Sequence, residues 1–356
     1  MNIGARIRQA RRMLGLSYRD VATRTGGQVS HTAIAKYEKG VMSPGSTALL
    51  ALAGALDQPI DFFFRPPLVS FTKPPRFRKK TGLSQKEQES ILESASDYLE
   101  RYYEVEDLSS SRLDYAAPWP TKIVRSPQEA MRMAKELRQE WNLGCDPLPN
   151  VHELMELKGI KVCEVKSENP SFDGLCTRTS RGPVVVLASW LNKNLPRKRM
   201  TEIHELSHVV LKVPEEITER EEENLAWSFA GELLLPEESF IDAFGKKRTS
   251  LSVEELVDLK MLFGASIMAI VYRAKVLKLI DDALFKAFWK YANANHWRTK
   301  GEPGDDTYRG NESYSRFRQL VIQSILEEKI SLSKGAALLH LSLDELRRDL
   351  GAPIRG

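Results

Sequence analysis

The chain has 356 residues, of which 42% are hydrophobic and 28% charged, and a formal net charge of +4. These are proportions of a globular protein, and the length suits two or three domains of roughly 100–200 residues each. No window approaches the ~20 continuous apolar residues of a membrane span. The opening MNIGARIRQARRMLG has arginines where a signal peptide carries its apolar stretch, and three scattered cysteines, Cys145, Cys163 and Cys176, give no disulfide framework. The expectation is a cytoplasmic protein in a reducing compartment, without a membrane partner. The charge is divided unevenly. Residues 1–66 carry nine Lys/Arg and four Asp/Glu, and residues 67–80 (PLVSFTKPPRFRKK) add five basic and no acidic residues. The first 80 residues therefore sum to +10 and the remainder to −6. A basic block on an acidic remainder is the asymmetry expected when one end meets a polyanion.

In chain order, residues 3–66 read as short helices ending in a DFFF turn, with Pro66-Pro67 and Pro74-Pro75 opening an extended basic linker. SQKEQESILESASDYLERYYEVE, from Ser84 to about Glu106, has helical periodicity and is expected to bridge two domains. Further helices are expected over Ser126–Trp141 and within Pro147–Gly159. GIKVCEV (159–165), DGLCTR (173–178) and PVVVLAS (183–189) are Val-rich strand candidates between polar turns. Two helices follow, MTEIHELSHVVLK and EEENLAWSFAGELLL, the second stopped by Pro236. The tail has helical segments around a polar loop, GEPGDDTYRGNES, and a capping box at Ser342 and Glu345; packing or dimer contact is its expected work.

The amino-terminal helices carry the first chemistry. Ser17 is placed as an N-cap with Asp20 three residues on, Gly26-Gly27 ends that helix, and Ser30 caps the next. Paired short helices around a Gly-containing turn form a helix-turn-helix pattern, in which the second helix enters the major groove. The expected base-facing residues are His31, Thr32, Ala35 and Lys36, with Gln28 just before the helix and Ile34 and Tyr37 facing the core. Arg11, Arg12 and Arg19 are candidates for phosphates, which position without specifying. Through "LGLSYRDVATRTG", "VSHTAIAKYEKG" and "SPGSTALLALAGALD", residues 3–61 resemble the XRE (lambda-repressor-like) helix-turn-helix family. The resemblance implies binding to a double-stranded operator. One position departs: Tyr18 stands where the family commonly has a DNA-backbone-contacting Gln.

The second motif is HELSH. Residues i and i+4 lie on one helix face, so His204 and His208 can reach one metal ion, and zinc accepts imidazole nitrogen. Glu205 projects beside that face, where it can deprotonate water, in the H-E-x-x-H arrangement of zinc peptidases. A third protein ligand is needed. Glu223 shares a face with Ala226 and Ala230, whose small side chains allow close approach, and is the first choice, with Glu222 the alternative. "HELSHVVL" followed by "ExxAWSFAGELLLP" resembles the ImmA/IrrE family of zinc metallopeptidases, and the likeness extends from "FRKKTGLSQKEQ" to "IVYRAKVLKLI". It implies His204, His208 and Glu223 as Zn2+ ligands and Glu205 as general base; Ser207 stands where the family often has Gly. Cys176 is expected as a small buried side chain, with inhibitory ligation of the zinc as the rival reading. Tyr272 and Arg273 are candidates for an oxyanion or for packing.

The expected fold is mainly α with a small β-sheet (α+β): an all-α helix-turn-helix domain over 1–66, a basic linker and bridging helix over 67–120, a zincin-like metallopeptidase domain over 121–280, and a helical carboxy-terminal region over 281–356. The expected function is a transcriptional regulator, a homodimer on a two-fold-related site, whose peptidase domain cleaves its own linker, near Pro66–Gly82, or a partner helix-turn-helix repressor. The loop Gly301–Ser313 is the rival cleavage site. The alternative is a transcription factor or toxin-binding antitoxin whose zinc domain senses without proteolysis.

Overall fold

Short helices start at polar caps in the amino-terminal segment. In the computed structural model, which describes residues 3–66, 69–73, 82–119, 122–167, 169–310, 312 and 315–351, α1 (Ile3–Met13) is followed by α2 (Tyr18–Arg24), α3 (His31–Glu38) and α4 (Ser46–Ala55). Ser17 and Asp20 form a reciprocal capping box on α2, and Ser30 accepts from Ala33 N–H at the start of α3. Gly26 and Gly27 take positive φ of 63° and 80° in the turn between them, a conformation that favours glycine. A 3-10 turn at Ile60–Phe64 buries Phe62 and Phe63 under Ile7, Val21, Ile34 and Leu52. At Gly4 a Cβ would sit 2.0 Å from the Tyr37 carbonyl oxygen, so the approach of α1 to α3 requires glycine there.

The chain divides into two units, one of Met1–Leu113, Cys163–Phe172 and Ser315–Gly356, the other of Asp114–Val162 and Asp173–Tyr314. In the first, a short strand β1 (Phe71–Lys73) precedes the long α5 (Gln85–Ser109). The basic linker lies largely outside the described residues, as do its arginines Arg76 and Arg78. α5 is a spine. Arg6 of α1 reaches Glu100 of α5 at 2.5 Å with both side chains buried, and Ser90 donates to the Met13 carbonyl at 2.6 Å. Farther along α5, Tyr102 and Val105 pack with Phe317, Leu320 and Val321 of the carboxy-terminal tail.

The second unit runs through α6 (Pro127–Glu140), α7 (Val151–Leu157), the first two residues of β2 (Lys161–Val165, whose last three belong to the first unit), β3 (Gly174–Thr179), β4 (Gly182–Ala188), α8 (Leu195–Val210), α9 (Glu219–Leu234), α10 (Glu237–Phe244), α11 (Val253–Phe263), α12 (Ile267–Val276), α13 (Asp282–Ala294) and α14 (Trp297–Lys300). β3 and β4 form an antiparallel hairpin from Gly174↔Leu187 to Thr179↔Gly182, and β4 lies between β3 and β2. At Gly174 a Cβ would lie 3.3 Å from the Thr201 methyl of α8 and 2.9 Å from the Val186 carbonyl, so the hairpin meets α8 closely. Ile203, Leu206, Phe229, Ala230 and Leu233 lock α8 and α9 into one core with α6.

The fold class is therefore the expected one, mainly helical with a small sheet. The tail forms α15 (Arg316–Leu326), α16 (Leu332–Leu339) and α17 (Leu343–Leu350), and belongs to the first unit. Ser342 and Glu345 form the capping box anticipated for α17. The polar loop beginning at Gly301 is anchored, against its sequence appearance. Glu302 accepts from the backbone N–H groups of Ile267 and Met268 at 2.6 and 3.0 Å and pairs with buried Lys260. Glu312 accepts from Val151 and His152 N–H and pairs with fully buried Arg199. Two carboxylates thus cap α12 and α7, which removes the slack a protease needs from much of this stretch; Asn311 and Ser313 lie outside the described residues.

Candidate metal centre and nucleic-acid interface

α8 begins with Asn194 capping the Arg197 N–H and Pro196 in its first turn. Its one-turn spacing brings His204 and His208 to one face, with their Nε2 atoms 3.2 Å apart. α9 starts at Thr218, whose hydroxyl and the Glu221 carboxylate form a capping box. This assigns the glutamate run its separate tasks: Glu221 closes the helix start, and the two that follow turn towards α8. Glu223 lies 3.5 Å from His204 Nε2 and 3.6 Å from His208 Nε2. Glu222 instead lies 3.6 Å from Nδ1, the other nitrogen of His208. Buried Ala226 and Ala230 follow on α9.

Zinc bonds of 2.0–2.1 Å to nitrogen and oxygen make a tetrahedron with edges of about 3.3 Å; the two Nε2 atoms are 3.2 Å apart, and Glu223 offers Oε2 to His204 at 3.5 Å and Oε1 to His208 at 3.6 Å. His204, His208 and Glu223 are the group among the described residues whose ligand atoms converge in this way. Cys176 is not part of it; it sits on β3 opposite Val185. Burial pulls the His208 imidazole down, yet the carboxylates of Glu222, Glu223 and Glu205 outweigh it and carry His208 up to about 9. A positive charge is thus favoured where the three carboxylates converge. Glu205 is buried on the same helix. The His204 ring packs against Trp227, centroids 4.2 Å apart and planes tilted by 43°, a contact the sequence did not suggest. Tyr272 is half exposed, and Arg273 is buried against Glu232 while donating to the Leu235 carbonyl at 2.9 Å, a structural pairing.

On the first unit, Gln28, His31, Thr32 and Lys36 are exposed, Ala35 is half-buried, and Ile34 and Tyr37 face the core. The three arginines separate. Arg19 is exposed. Arg12 approaches Glu89 and Glu93 of α5 at 3.4 and 3.5 Å. Arg11 spends its guanidinium on Glu38, at 2.6 and 2.9 Å, and lies over the Tyr18 ring at 4.5 Å, while the Tyr18 hydroxyl is 3.3 Å from Glu38. The hydrogen bond to Glu38 holds Arg11 above the usual arginine range. Tyr18 thereby closes an internal network with Arg11 and Glu38.

Comparison with known families falls on these same two places. Residues 7–63 match the family described as Helix-turn-helix, and residues 155–275 match the IrrE N-terminal-like domain. The chain joins a helix-turn-helix domain to an IrrE N-terminal-like domain. No curated protein matches it. The helix-turn-helix match indicates a DNA-binding regulator, and the IrrE-like family is one of zincin-like metallopeptidases, which suggests a metal. The IrrE-like segment contains β2 to α9 entire, and with them the two histidines and Glu223. Among the described residues no helix is long and apolar enough to cross a membrane.

Proposed function

We propose that the chain is a transcriptional regulator that binds a two-fold-related operator as a dimer and carries a zinc endopeptidase in its IrrE-like domain. The observation that supports this most is the donor triangle of His204, His208 and Glu223 with Glu205 beside it. Zinc held there would supply a Lewis acid that polarises the scissile carbonyl and lowers the pKa of water. The chain's own residues do the rest. Glu205 accepts the proton of the attacking water and delivers it to the leaving amine, the ordinary work of a general base that turns acid. Glu222, facing the far nitrogen of His208, orients that imidazole so that Nε2 meets the metal. His31, Thr32 and Lys36, with Gln28, face base edges, and Arg19 and Arg12 meet phosphates.

The site of cleavage is a linker of this chain or of a related repressor. The clamp between α1 and α5 favours the second: a cut between Pro66 and Gly82 would leave the helix-turn-helix domain held by Arg6–Glu100, on the far side of the cut. The same clamp also favours a sensor reading, in which metal or ligand state is transmitted without proteolysis. Intact-mass time courses of the zinc-loaded chain, with operator DNA and with a candidate repressor, decide among them. Fragments in the wild type that vanish in Glu205→Gln support the peptidase; no fragments under any of these conditions supports the sensor.

A further inference from the structure

We infer that a cleft beside the metal centre receives a large apolar side chain of the polypeptide substrate, and that the missing side chain at Gly231 sets its depth; this rests on the peptidase reading above. The cleft has a volume of about 880 Å³. One wall is the face of α9 made by Asn224, Trp227, Ser228 and Gly231, directly after Glu223 in the chain. Trp227 is shared: its ring packs against His204 and also lines the cleft. An occupant of the cleft is thus one side chain away from the metal donors, as a residue flanking the scissile bond must be. Met268, Tyr272 and Trp289 line the cleft as well, and aromatic and thioether surfaces are suited to broad apolar groups.

Each acid lining the cleft faces a cation, and two of its three arginines face an acid, which argues against a charged occupant. Arg197 is in a bidentate pair with Asp173, Arg273 with Glu232, and Glu302 and Asp305 both with Lys260. Arg298 lies over Trp289 at 5.2 Å. Gly231 shares with Gly54 of α4 an open Cβ position inside a helix, but Gly231 alone of the two lines the cleft. Glycine weakens a helix interior, and at Gly4 and Gly174 close neighbours explain it, with a Cβ meeting backbone atoms at 3.0 Å or less. At Gly231 a Cβ would meet nothing within 4 Å, and φ is not in the left-handed region. Neither packing nor backbone conformation requires glycine at this point of α9. What its absence of a side chain preserves is space in the cleft.

Binding, which needs no turnover, gives the test. Zinc-loaded full-length protein is titrated calorimetrically with dipeptide hydroxamates that differ only in one side chain: benzyl, isobutyl, methyl or carboxymethyl. The wild type is expected to favour benzyl and isobutyl over methyl and carboxymethyl by at least tenfold. Gly231→Leu should erase that preference, leave the methyl compound's affinity within twofold, and keep or raise the melting temperature because leucine suits a helix. Equal affinities in the wild type, or an undiminished preference in folded Gly231→Leu, would overturn the inference alone. Failure of every hydroxamate to bind would overturn the metal reading and this inference with it.

Discussion

The helix-turn-helix face and the metal centre hold their functional groups in opposite ways. On α3 the side chains proposed to read bases, His31, Thr32 and Lys36, are exposed and the fold is carried by other residues of the same helix, Ile34 and Tyr37. On α8 one donor is itself part of the interior: His204 is fully buried and its neighbours Ile203 and Leu206 belong to the main core, while His208 and Glu223 are half-buried. The difference teaches which substitutions separate function from folding. Changes on α3 should be read in DNA binding alone, whereas changes at the metal centre are read through both metal and packing, so conservative replacements are needed there.

The largest expected effect is at Glu205. Glu205→Gln keeps shape and the donor triangle and should slow cleavage by about 10²–10⁴-fold, the usual worth of a positioned proton-transfer group, with zinc content unchanged; a comparable cleavage rate in the variant would remove Glu205 from the mechanism. Next in size is the clamp. Arg6→Ala leaves Glu100 buried without its cation, and breaking such a pair costs about 3–5 kcal/mol. Urea unfolding followed by amide exchange in α1 should show it, and an exchange rate equal to wild type would mean that α1 is not held by α5. Arg11→Ala should behave as a folding variant too, because its guanidinium serves Glu38 rather than solvent.

Smaller and sharper is the recognition face. Lys36→Ala and Thr32→Ala should leave the unfolding midpoint unmoved and change discrimination between base pairs by about 1–3 kcal/mol. Binding assays on an operator and its single-pair variants check this; a uniform loss on every sequence would move these residues from reading to positioning. The smallest effect expected is acid sensitivity at His340 in the tail. Burial and the neighbouring Arg101 and Arg65 pull this imidazole down to about 4, against the opposing charge of Asp97 at 3.6 Å. The folded state resists a proton that the unfolded chain accepts near its ordinary value of about 6.5. Stability from this group is complete above that value and is lost as pH falls towards 4. His340 sits at φ 54°, a conformation asparagine accepts, so His340→Asn should flatten the pH dependence of unfolding between 6.5 and 4. An unchanged slope would assign it to other groups.

Local chemistry made much of this legible. The caps at Ser17, Ser30 and Ser342, the Val-rich strands and the HELSH spacing are short-range patterns, and each element appears within a few residues of its expected place. Glu222 and Glu223 could not be separated by spacing, since both begin the same helix turn; the distinction lies in which nitrogen of His208 each one faces. Arg11 reads as a surface base in sequence, and the signal that could have redirected it is Glu38, an acid in a basic segment. Arg6 and Glu100 lie 94 residues apart, so no local pattern announces that α5 holds the helix-turn-helix domain. The loop after Gly301 misled for the same reason: its acids look solvated in composition, yet Lys260 and Arg199 draw two of them inside. Gly231 carried no signal until the space around it was visible.

Zinc stoichiometry of three variants tests the central claim most directly. Purified wild type, Glu223→Ala, Glu222→Ala and Glu205→Gln are dialysed against the same buffered zinc and their metal content is measured. The account predicts one zinc per chain in the wild type and in Glu205→Gln, a tenfold to hundredfold loss of affinity in Glu222→Ala, where an orienting group is removed, and a larger loss in Glu223→Ala. Full zinc retention in Glu223→Ala, with loss confined to Glu222→Ala, would contradict it.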